Sequence, residues 1–415
     1  MQKINIGIIG FGNIGSAVAD AIEKNQLSIA ANTGFELIVN KVCDVRKIKT
    51  SYSLTPNPYT LIEDPAIDII VEAMGGENPA LKVILAALNA GKSVVTPNKE
   101  VIAKHLPEII EVAQKNMVLV LFEAAVGGGI PILRSLKEDL AGNRISEVYG
   151  IVNGTTNYIL TRMTEEGMEF DAALKIAQVK GYAEPNPKAD IEGYDASYKA
   201  AILASVAFGA KVDWKAVEFE GITGIAIEDI LYASEIGYKI KLLAVAKLIN
   251  DKLDVRVYPC LVPCSHPLSS VSDNYNAIYV KADPVGDLMY YGQGAGGGPT
   301  ASAIIADIIA AARSKIQETS YKLQTYKTAN ASQSEARYYL RLQAPDTCGV
   351  LAGISKTFAD HDVSIAAVMQ KETIGNKATI VILLHKVRED NLNKAIAALK
   401  KSAVVNKICN LIRII

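Results

Sequence analysis

The sequence predicts an α/β protein that begins with a doubly wound parallel sheet and ends with a smaller βαββαβ domain. Three observations lead to this prediction. A strand at residues 3–9 runs directly into a glycine-rich turn, alternating strands and helices follow to about residue 130, and residues 336–415 have a different strand–helix order. Residues 131–299 between them are assigned to an α+β domain. A chain of 415 residues is long enough for two or three such domains.

The first strand and its turn have the pattern of a dinucleotide-binding site. The segment KINIGII at residues 3–9 is apolar and β-branched, as in a parallel strand buried on both faces. G-x-G-x-x-G and a helical pattern follow; such glycines permit the tight turn, the approach of a pyrophosphate and close helix–strand packing. A glycine turn without a ligand is the alternative. The predicted cofactor-binding residues are Gly10, Phe11, Gly12, Asn13, Ile14 and Gly15.

The remaining βα units make this a Rossmann-type sheet and raise the question of which cofactor it binds. Asp44 ends the second strand, where a carboxylate accepts hydrogen bonds from the adenosine ribose. Arg46, Lys47 and Lys49 follow directly and could instead pair with a 2′-phosphate, or form a solvated turn. The sequence therefore leaves NAD and NADP open. Further strands are predicted at 35–45, 67–74, 93–96 and 118–122, and helices at 79–90 and 101–115.

A lysine stands where a helix becomes apolar on every side. Asp195 and Lys199 are four residues apart, so they share a helix face, and residues 200–210 contain no polar side chain except Ser205. Burial lowers the pKa of a lysine, while nearby carboxylates hold its charge. This combination suits a proton donor near neutral pH, although an ordinary surface ion pair is the alternative. The acidic residues nearest in sequence are Glu184, Asp190, Glu192 and Asp195.

Two loops follow later strands of the sheet. Lys99 comes just after Thr96, at the carboxyl end of the fourth strand, which is the side of an open α/β sheet where ligands bind. Lys99 would then face the cofactor; a surface lysine that begins a helix is the alternative. Glu123 precedes a run of glycines whose carbonyl oxygens could bind a hard monovalent cation, or which could form a plain turn.

Several of these stretches resemble one family over essentially the whole chain, homoserine dehydrogenase. Its members transfer hydride from a reduced nicotinamide cofactor to L-aspartate 4-semialdehyde, giving L-homoserine for threonine, methionine and isoleucine biosynthesis. The stretches that carry the resemblance are GFGNIG (10–15), TPNKE (96–100), EAAVGGGIPI (123–132), NGTTNYIL (153–160), GYAEPNPKADIEGYDASYKAAILA (181–204), HPL (266–268) and GQGAGGGPTASAIIADI (292–308).

The resemblance implies a role for each site residue. It makes Lys199 the proton donor, Asp195 its acidic neighbour, Glu184 a ligand of the substrate amino group and Asp190 a further acidic active-site residue. It places Lys99 between nicotinamide and substrate. The resemblance also implies that residues 1–130 with 300–320 bind the cofactor, with Thr96 among the ligands, that 131–299 bind substrate and dimerise, and that Glu123, Val126, Gly128 and Ile130 form a sodium-binding loop.

The C-terminal region resembles an ACT regulatory domain. Residues 314–335 are polar and are predicted to end a helix and form a linker. Beyond them strands are predicted at 336–343, 364–370, 378–384 and 408–415, and helices at 349–360 and 390–401, the order of a ferredoxin-like unit. Cys348 replaces the proline usual in the first turn. L-threonine is the candidate effector, held at the helix that begins beside Gly349; a domain that only assists dimerisation is the alternative.

The composition excludes other classes of protein. A net charge of −1 without basic blocks gives nucleic acid no attachment, and no apolar run reaches the length of a membrane span. Five dispersed cysteines fit a reducing compartment, so a cytoplasmic location is expected. The resemblance implies a homodimer or homotetramer with a small-molecule substrate. Two alternatives remain: a dehydrogenase of another amino-acid aldehyde, and a non-catalytic regulator that senses nicotinamide cofactors and amino acids.

Overall fold

A computed structural model describes residues 1–314, 323–328, 331–370 and 377–415. The predicted linker at 314–335 and the predicted cofactor-domain segment at 300–320 lie partly outside these residues. The strands are β1 Gln2–Ile9, β2 Phe35–Cys43, β3 Ser53–Thr55, β4 Ile69–Glu72, β5 Ser93–Val95, β6 Val120–Leu121, β7 Arg144–Ile151, β8 Glu218–Phe219, β9 Tyr238–Ile249, β10 Lys252–Pro263, β11 Tyr275–Asp283, β12 Gly286–Gln293, β13 Lys327–Thr328, β14 Glu335–Pro345, β15 Ile365–Gln370, β16 Lys377–Arg388 and β17 Lys407–Ile414.

The helices follow the same order along the chain. They are α1 Asn13–Thr33, α2 Tyr59–Ile62, α3 Ala80–Asn89, α4 Lys99–Lys115, α5 Leu133–Lys137, α6 Gly154–Glu166, α7 Phe170–Val179, α8 Lys188–Ile191, α9 Tyr194–Phe208, α10 Ile227–Glu235, α11 Gly297–Arg313, α12 Val350–Ala359 and α13 Glu389–Lys401. Within the part of the chain that the structure describes, no helix has the length and apolar character needed to cross a membrane.

The chain forms two compact units, and each draws on three segments. The chain was predicted to contain three sequential domains. The two compact units combine segments from different parts of the chain, so they do not test that division, which stays a prediction. The first unit contains Met1–Val152, Ser197–Val217 and Tyr275–Tyr326, and the second contains Asn153–Ala196, Glu218–Asn274 and Lys327–Ile415.

A six-stranded parallel sheet in the first unit confirms the predicted doubly wound fold. Its strand order is β3-β2-β1-β4-β5-β6, so the order reverses between β1 and β4. Ligands bind outside the carboxyl ends of the strands at such a reversal. Ile6, Ile8 and Val71 are fully buried in the core beneath it. The remaining strands of this unit, β7, β11 and β12, pair antiparallel with β11 in the centre.

Helix α1 extends well beyond the segment that the apolar pattern indicated. The pattern was clear only from Ser16 to Ile22, whereas the helix continues to Thr33. Ile29 is buried in its last turns, and Gly34 ends it in the left-handed region at φ 79°. Because a left-handed glycine is a common helix terminator, Gly34 was the sequence signal for the true end.

The second unit contains the predicted βαββαβ domain, and its fold is confirmed. The strand order β17-β14-β16-β15 is antiparallel throughout, and α12 and α13 cover the sheet. Predicted and observed element boundaries differ by four residues at most, the largest difference being at the end of β16. The core is closed by Phe358, Ile382 and Leu392, all fully buried. This is the fold of an ACT domain.

The ACT domain continues a longer sheet within the same unit. Strand β10 pairs antiparallel with β9 along all twelve residues. On its opposite edge β10 pairs in parallel with β13, β8 and β17, over two residues each. Beside this junction Asp229 of α10 is fully buried and accepts two hydrogen bonds from the Arg341 guanidinium, at 2.6 and 3.0 Å. The ACT domain is therefore joined to α10 and β10 by backbone pairing and by a buried ion pair.

Candidate active site

The turn after β1 is shaped to receive a pyrophosphate. Gly10 has φ 94°, and a Cβ there would lie 2.6 Å from the backbone of Ala73. A Cβ on Gly15 would lie 2.1 Å from the Gly10 carbonyl oxygen, so the start of α1 packs directly on the turn. Gly12 is the N-cap of α1 and carries no side chain over the exposed amides of that first turn. A negative charge is stabilised at such a helix start, so the residues present fit a dinucleotide.

At the end of β2, Asp44 is buried and already paired. It accepts hydrogen bonds from the backbone N–H of Phe11 at 3.0 Å and from Arg46 Nε and Nη2 at 2.9 and 2.8 Å. The side chain of Arg46 is 62% exposed, whereas that of Asp44 is 6% exposed. The Arg46 hydrogen bonds hold the pKa of Asp44 well below its ordinary value. Arg46 also borders Gly12, where a Cβ would lie 3.5 Å from Nη2.

A cavity of about 460 Å³ opens beside the glycine turn, at the carboxyl ends of the parallel strands. Lys199 is only 9% exposed, and its ammonium donates a 2.7 Å hydrogen bond to the Val152 carbonyl oxygen. Lys99, the first residue of α4, is half-buried. The structure therefore brings together two lysines that are 100 residues apart in the sequence. The cavity lining includes Ile14, Gly75, Asn98, Lys99, Gly128 and Lys199.

A buried carboxylate that sequence reasoning did not identify underlies this cavity. Glu72 ends β4, is fully buried and accepts hydrogen bonds from the Met74 backbone N–H at 2.7 Å and the Thr96 hydroxyl at 2.6 Å. Burial raises the pKa of Glu72 above its ordinary value. Asn98 extends the connection, because its side-chain amide donates to the Gly76 carbonyl oxygen at 2.8 Å. Through these hydrogen bonds Thr96 connects the loop at residues 97–99 to Glu72.

The acidic residues of the predicted substrate site are organised by Asn153, in the second unit. Asn153 is the N-cap of α6, and its Oδ1 accepts a hydrogen bond from the Thr156 N–H at 2.9 Å. Its Nδ2 donates to Asp190 Oδ1 at 2.7 Å and to Asp195 Oδ2 at 2.9 Å. In the sequence this asparagine was noted only as part of NGTTNYIL; its capping position before a helix was the signal for its role.

The loop between α7 and α8 carries Glu184 at its surface. Glu184 is exposed, and its carbonyl oxygen accepts a 3.2 Å hydrogen bond from Gln178 Nε2. The loop is fixed further back, where the Thr155 hydroxyl donates to the Tyr182 carbonyl oxygen at 2.5 Å. The rings of Tyr158 and Tyr182 pack with their centroids 5.0 Å apart. An anchored backbone with an exposed carboxylate suits the recognition of a substrate ammonium group.

The predicted cation loop uses its carboxylate in a different way from the one expected. Glu123 is 4% exposed and accepts hydrogen bonds from three successive backbone N–H groups, those of residues 132–134, at 2.6 to 2.8 Å. These amides satisfy the carboxylate at the start of α5. The backbone N–H of Glu123 donates to Asp307, and burial raises the pKa of Asp307 to about 8. The side chain of Glu123 therefore fits the role of shaping the loop better than that of a cation ligand.

The parallel sheet, the glycine turn at α1 and the lysine-lined cavity at the strand reversal together define a nicotinamide-dependent oxidoreductase. Comparison with known families makes the assignment specific. Residues 10–123 match the model of the homoserine dehydrogenase NAD-binding domain, residues 131–309 that of homoserine dehydrogenase, and residues 338–404 that of the ACT domain. The chain belongs to the homoserine dehydrogenase family, and it uses NAD(P).

Individual relatives agree with this assignment. A homoserine dehydrogenase of Neisseria gonorrhoeae is 40% identical, with 100% of this chain and 99% of the relative covered. The crystal structure of a homoserine dehydrogenase from Thiobacillus denitrificans is 39% identical with a TM-score of 0.95, covering 100% of this chain and 99% of that one. A hyperthermophilic archaeal homoserine dehydrogenase in complex with NADPH is 29% identical with a TM-score of 0.63, covering 75% of this chain and 98% of that one.

Proposed function

We propose that this homoserine dehydrogenase interconverts L-aspartate 4-semialdehyde and L-homoserine with Lys199 as the proton donor, in the biosynthesis of threonine, methionine and isoleucine. The observation that supports the role of Lys199 is its burial at a cavity that also contains Lys99. A bound reduced nicotinamide supplies the hydride. Charge then develops on the aldehyde oxygen, and an ammonium group held in a water-poor cavity stabilises that charge and donates the proton.

The other charged residues of the site are proposed to bind the substrate and the nicotinamide. Lys99 is proposed to face the nicotinamide and the substrate from the start of α4. Glu184 is proposed to bind the substrate ammonium, with Asp190 and Asp195 held by Asn153 as further acidic groups. Asp195 precedes Lys199 by four residues in α9, which is about one helical turn.

The test is the absorbance change at 340 nm with L-homoserine and NAD(P), compared with other amino alcohols. Lys199→Ala is expected to lower kcat by roughly 10²–10⁴-fold while the affinity for the cofactor stays close to that of the unmodified enzyme. Lys188→Ala serves as a matched control, because Lys188 is exposed on α8. If Lys199→Ala keeps more than about a tenth of the activity, the assignment of Lys199 fails. A better turnover of another amino alcohol would instead favour the second dehydrogenase hypothesis.

For the cofactor we propose a preference for NADP over NAD. Arg46 neutralises Asp44 and presents an exposed guanidinium beside Gly12, so a 2′-phosphate would meet a cation there. Guanidinium groups bind phosphates through two parallel hydrogen bonds. The Asp44 carboxylate already accepts four hydrogen bonds, so the ribose hydroxyl of NAD would bind it only by displacing the Arg46 side chain.

We further propose that a sodium ion at the loop after β6 is held by backbone carbonyl oxygens. Gly127 and Gly128 have φ values of 73° and 58°, which turn the loop sharply. Val126, Gly128 and Ile130 remain the proposed carbonyl ligands. Glu123 is proposed to order the loop through the amides of α5 and to contribute negative charge. Comparing initial rates in sodium chloride and in choline chloride at equal ionic strength tests this proposal.

The ACT domain is proposed to bind L-threonine as a feedback effector in a homodimer or homotetramer. Gly349 precedes α12 at φ 89° and leaves that helix start without a side chain of its own. Removing the domain would leave Asp229 without Arg341 and Arg256 without Glu389, so the test uses the intact chain. Calorimetry with L-threonine, with D-threonine as control, is expected to show heat only for the L-isomer. No heat from threonine, methionine or isoleucine would leave the ACT domain a structural role.

A further inference from the structure

Two of the loops that line the cavity containing Lys99 are connected to each other by buried hydrogen bonds. One wall is the turn at residues 74–76 after β4, and the other is the loop at residues 97–99 before α4. Up to the start of α4, both loops lack regular secondary structure, so their positions depend on individual hydrogen bonds. The common partner of the two walls is Glu72.

Four hydrogen bonds connect the walls in a closed circuit. Glu72 accepts from the Met74 N–H at 2.7 Å and from the Thr96 hydroxyl at 2.6 Å. The Thr96 hydroxyl oxygen in turn accepts from the Asn98 N–H at 3.0 Å. Asn98 returns to the first wall through its 2.8 Å hydrogen bond to the Gly76 carbonyl oxygen. Asn98 also caps α4 through the Val101 N–H at 3.2 Å, so the circuit fixes the residue that precedes Lys99.

The circuit requires a carboxylate at its centre. The Met74 N–H and the Thr96 hydroxyl, whose oxygen is already used by Asn98, donate to Glu72. The Gly75 backbone and the Asn98 side chain also hydrogen-bond to it. A carboxylate suits this set because it offers only acceptors. An amide in the same place would turn an NH₂ group toward one of these donors. Because Glu72 is fully buried, no solvent would compensate for the lost hydrogen bond. One wall would then be released.

We infer that Glu72 is a positioning residue for the reaction: it sets the distance between the two cavity walls and thereby the position of Lys99. This inference rests on the role proposed above for Lys99. It predicts an effect on turnover rather than on cofactor affinity, because the pyrophosphate end of the cofactor is held by the separate glycine turn. Displacing a reacting group by about 1 Å costs roughly 10²-fold in rate.

The experiment measures kcat, the dissociation constant of the reduced cofactor and the deuterium isotope effect on hydride transfer. Glu72→Gln and Thr96→Val are each expected to lower kcat by roughly 10- to 100-fold. The dissociation constant should stay within about threefold, and the isotope effect should rise because hydride transfer becomes slower. Glu77→Gln is the matched control, since Glu77 undergoes the same chemical change but pairs with Lys104 and His105.

A double variant separates positioning from general damage. In the Lys99→Ala background, adding Glu72→Gln should reduce kcat by less than about threefold, because Lys99 is no longer there to be positioned. Two outcomes overturn this inference and leave the proposed role of Lys99 intact. One is a double variant whose loss in kcat equals the product of the two single losses. The other is a normal kcat for Glu72→Gln when Lys99→Ala is impaired. Full activity of Lys99→Ala overturns the proposed role of Lys99 and this inference with it. If Glu72→Gln does not fold, Thr96→Val and its combination with Lys99→Ala decide.

Discussion

Replacing Asp229 by alanine should loosen the ACT domain from the rest of its unit. Asp229 is fully buried and accepts hydrogen bonds from Arg341, from the Tyr339 hydroxyl at 3.1 Å and from the Asn410 side chain at 2.9 Å. Arg341 is itself only 7% exposed. Removing the Asp229 carboxylate leaves the buried guanidinium of Arg341 without its ion-pair partner.

The magnitude follows from this desolvation. Removing one partner of a buried ion pair costs about 3–5 kcal/mol, whereas replacing both partners with apolar residues is often close to neutral. The double variant Asp229→Ala with Arg341→Met should therefore be much less destabilised than the sum of the two single variants. Glu228→Ala is the matched control, because Glu228 is the exposed neighbour on the same helix.

Hydrogen exchange of the backbone amides of β14 and β17 reports the effect locally. An energy change of 3–5 kcal/mol corresponds to roughly 10²- to 10⁴-fold faster exchange where opening separates α10 from the ACT sheet. Exchange in Glu228→Ala should stay within about threefold of the unmodified protein. If Asp229→Ala exchanges no faster than the control, the ion pair does not hold the ACT domain in place and the reasoning from burial is wrong.

Three further predictions concern cofactor preference, the pH dependence of stability and the hydrogen bonds of Asn157. Arg46→Ala should raise KM for NADPH more than for NADH, and Asp44→Ala should do the reverse; equal changes for both cofactors in both variants would contradict the proposed loop. Lys241 is buried in β9, and desolvation lowers its pKa to about 8 from 10.5. The unfolded chain then binds more protons between these two values, so stability rises with pH in this window; relative to Lys241→Met it should rise by about 2 kcal/mol from pH 8 to pH 10 in urea titrations. A constant difference between the two proteins would show that Lys241 keeps its ordinary pKa in the fold. Asn157→Ala should lower stability by about 1–3 kcal/mol, because its side chain joins α6 to the Val271 and Asp273 carbonyl oxygens and to Lys241; a loss below about 0.5 kcal/mol would contradict this.

The features that sequence reasoning predicted well depend on neighbours in the chain. The turn at residues 10–15 needs only a strand before it and a helix after it, and its glycines leave little choice of conformation. The ACT domain is similar, because its strands and helices are short and each is marked by its own apolar period. Strand β14, expected at 336–343, occupies Glu335–Pro345. Such elements can be located before any tertiary contact is known.

The features that it missed depend on partners distant in the chain. Glu72 fell inside the predicted strand at 67–74 and was not singled out, because nothing local distinguishes a structural carboxylate from a solvated one; its partner Thr96 is 24 residues away. Glu123 accepts three amides from the start of α5, which lie nine to eleven residues further along the chain and were not foreseen as its partners. Asp44 and Arg46 were weighed as rival cofactor ligands, whereas the structure pairs them with each other. Sequence patterns indicate which charged residues are functional or structural, but the tertiary fold determines the group that each of them binds.

The three short partners of β10 have a consequence for how the chain is made. They cover the strand in separate pieces: β13 at Leu253, β8 at Val257 and β17 at Leu261. The piece nearest the end of β10 comes from the last strand of the ACT domain, so ribosomes release β10 long before that cover exists. Until then the strand presents an apolar edge with open backbone groups, the kind of surface on which nascent chains associate. The ACT domain thus covers this edge only when synthesis is nearly complete, whatever ligand it binds afterwards, and chains terminated before β17 should be the ones that aggregate.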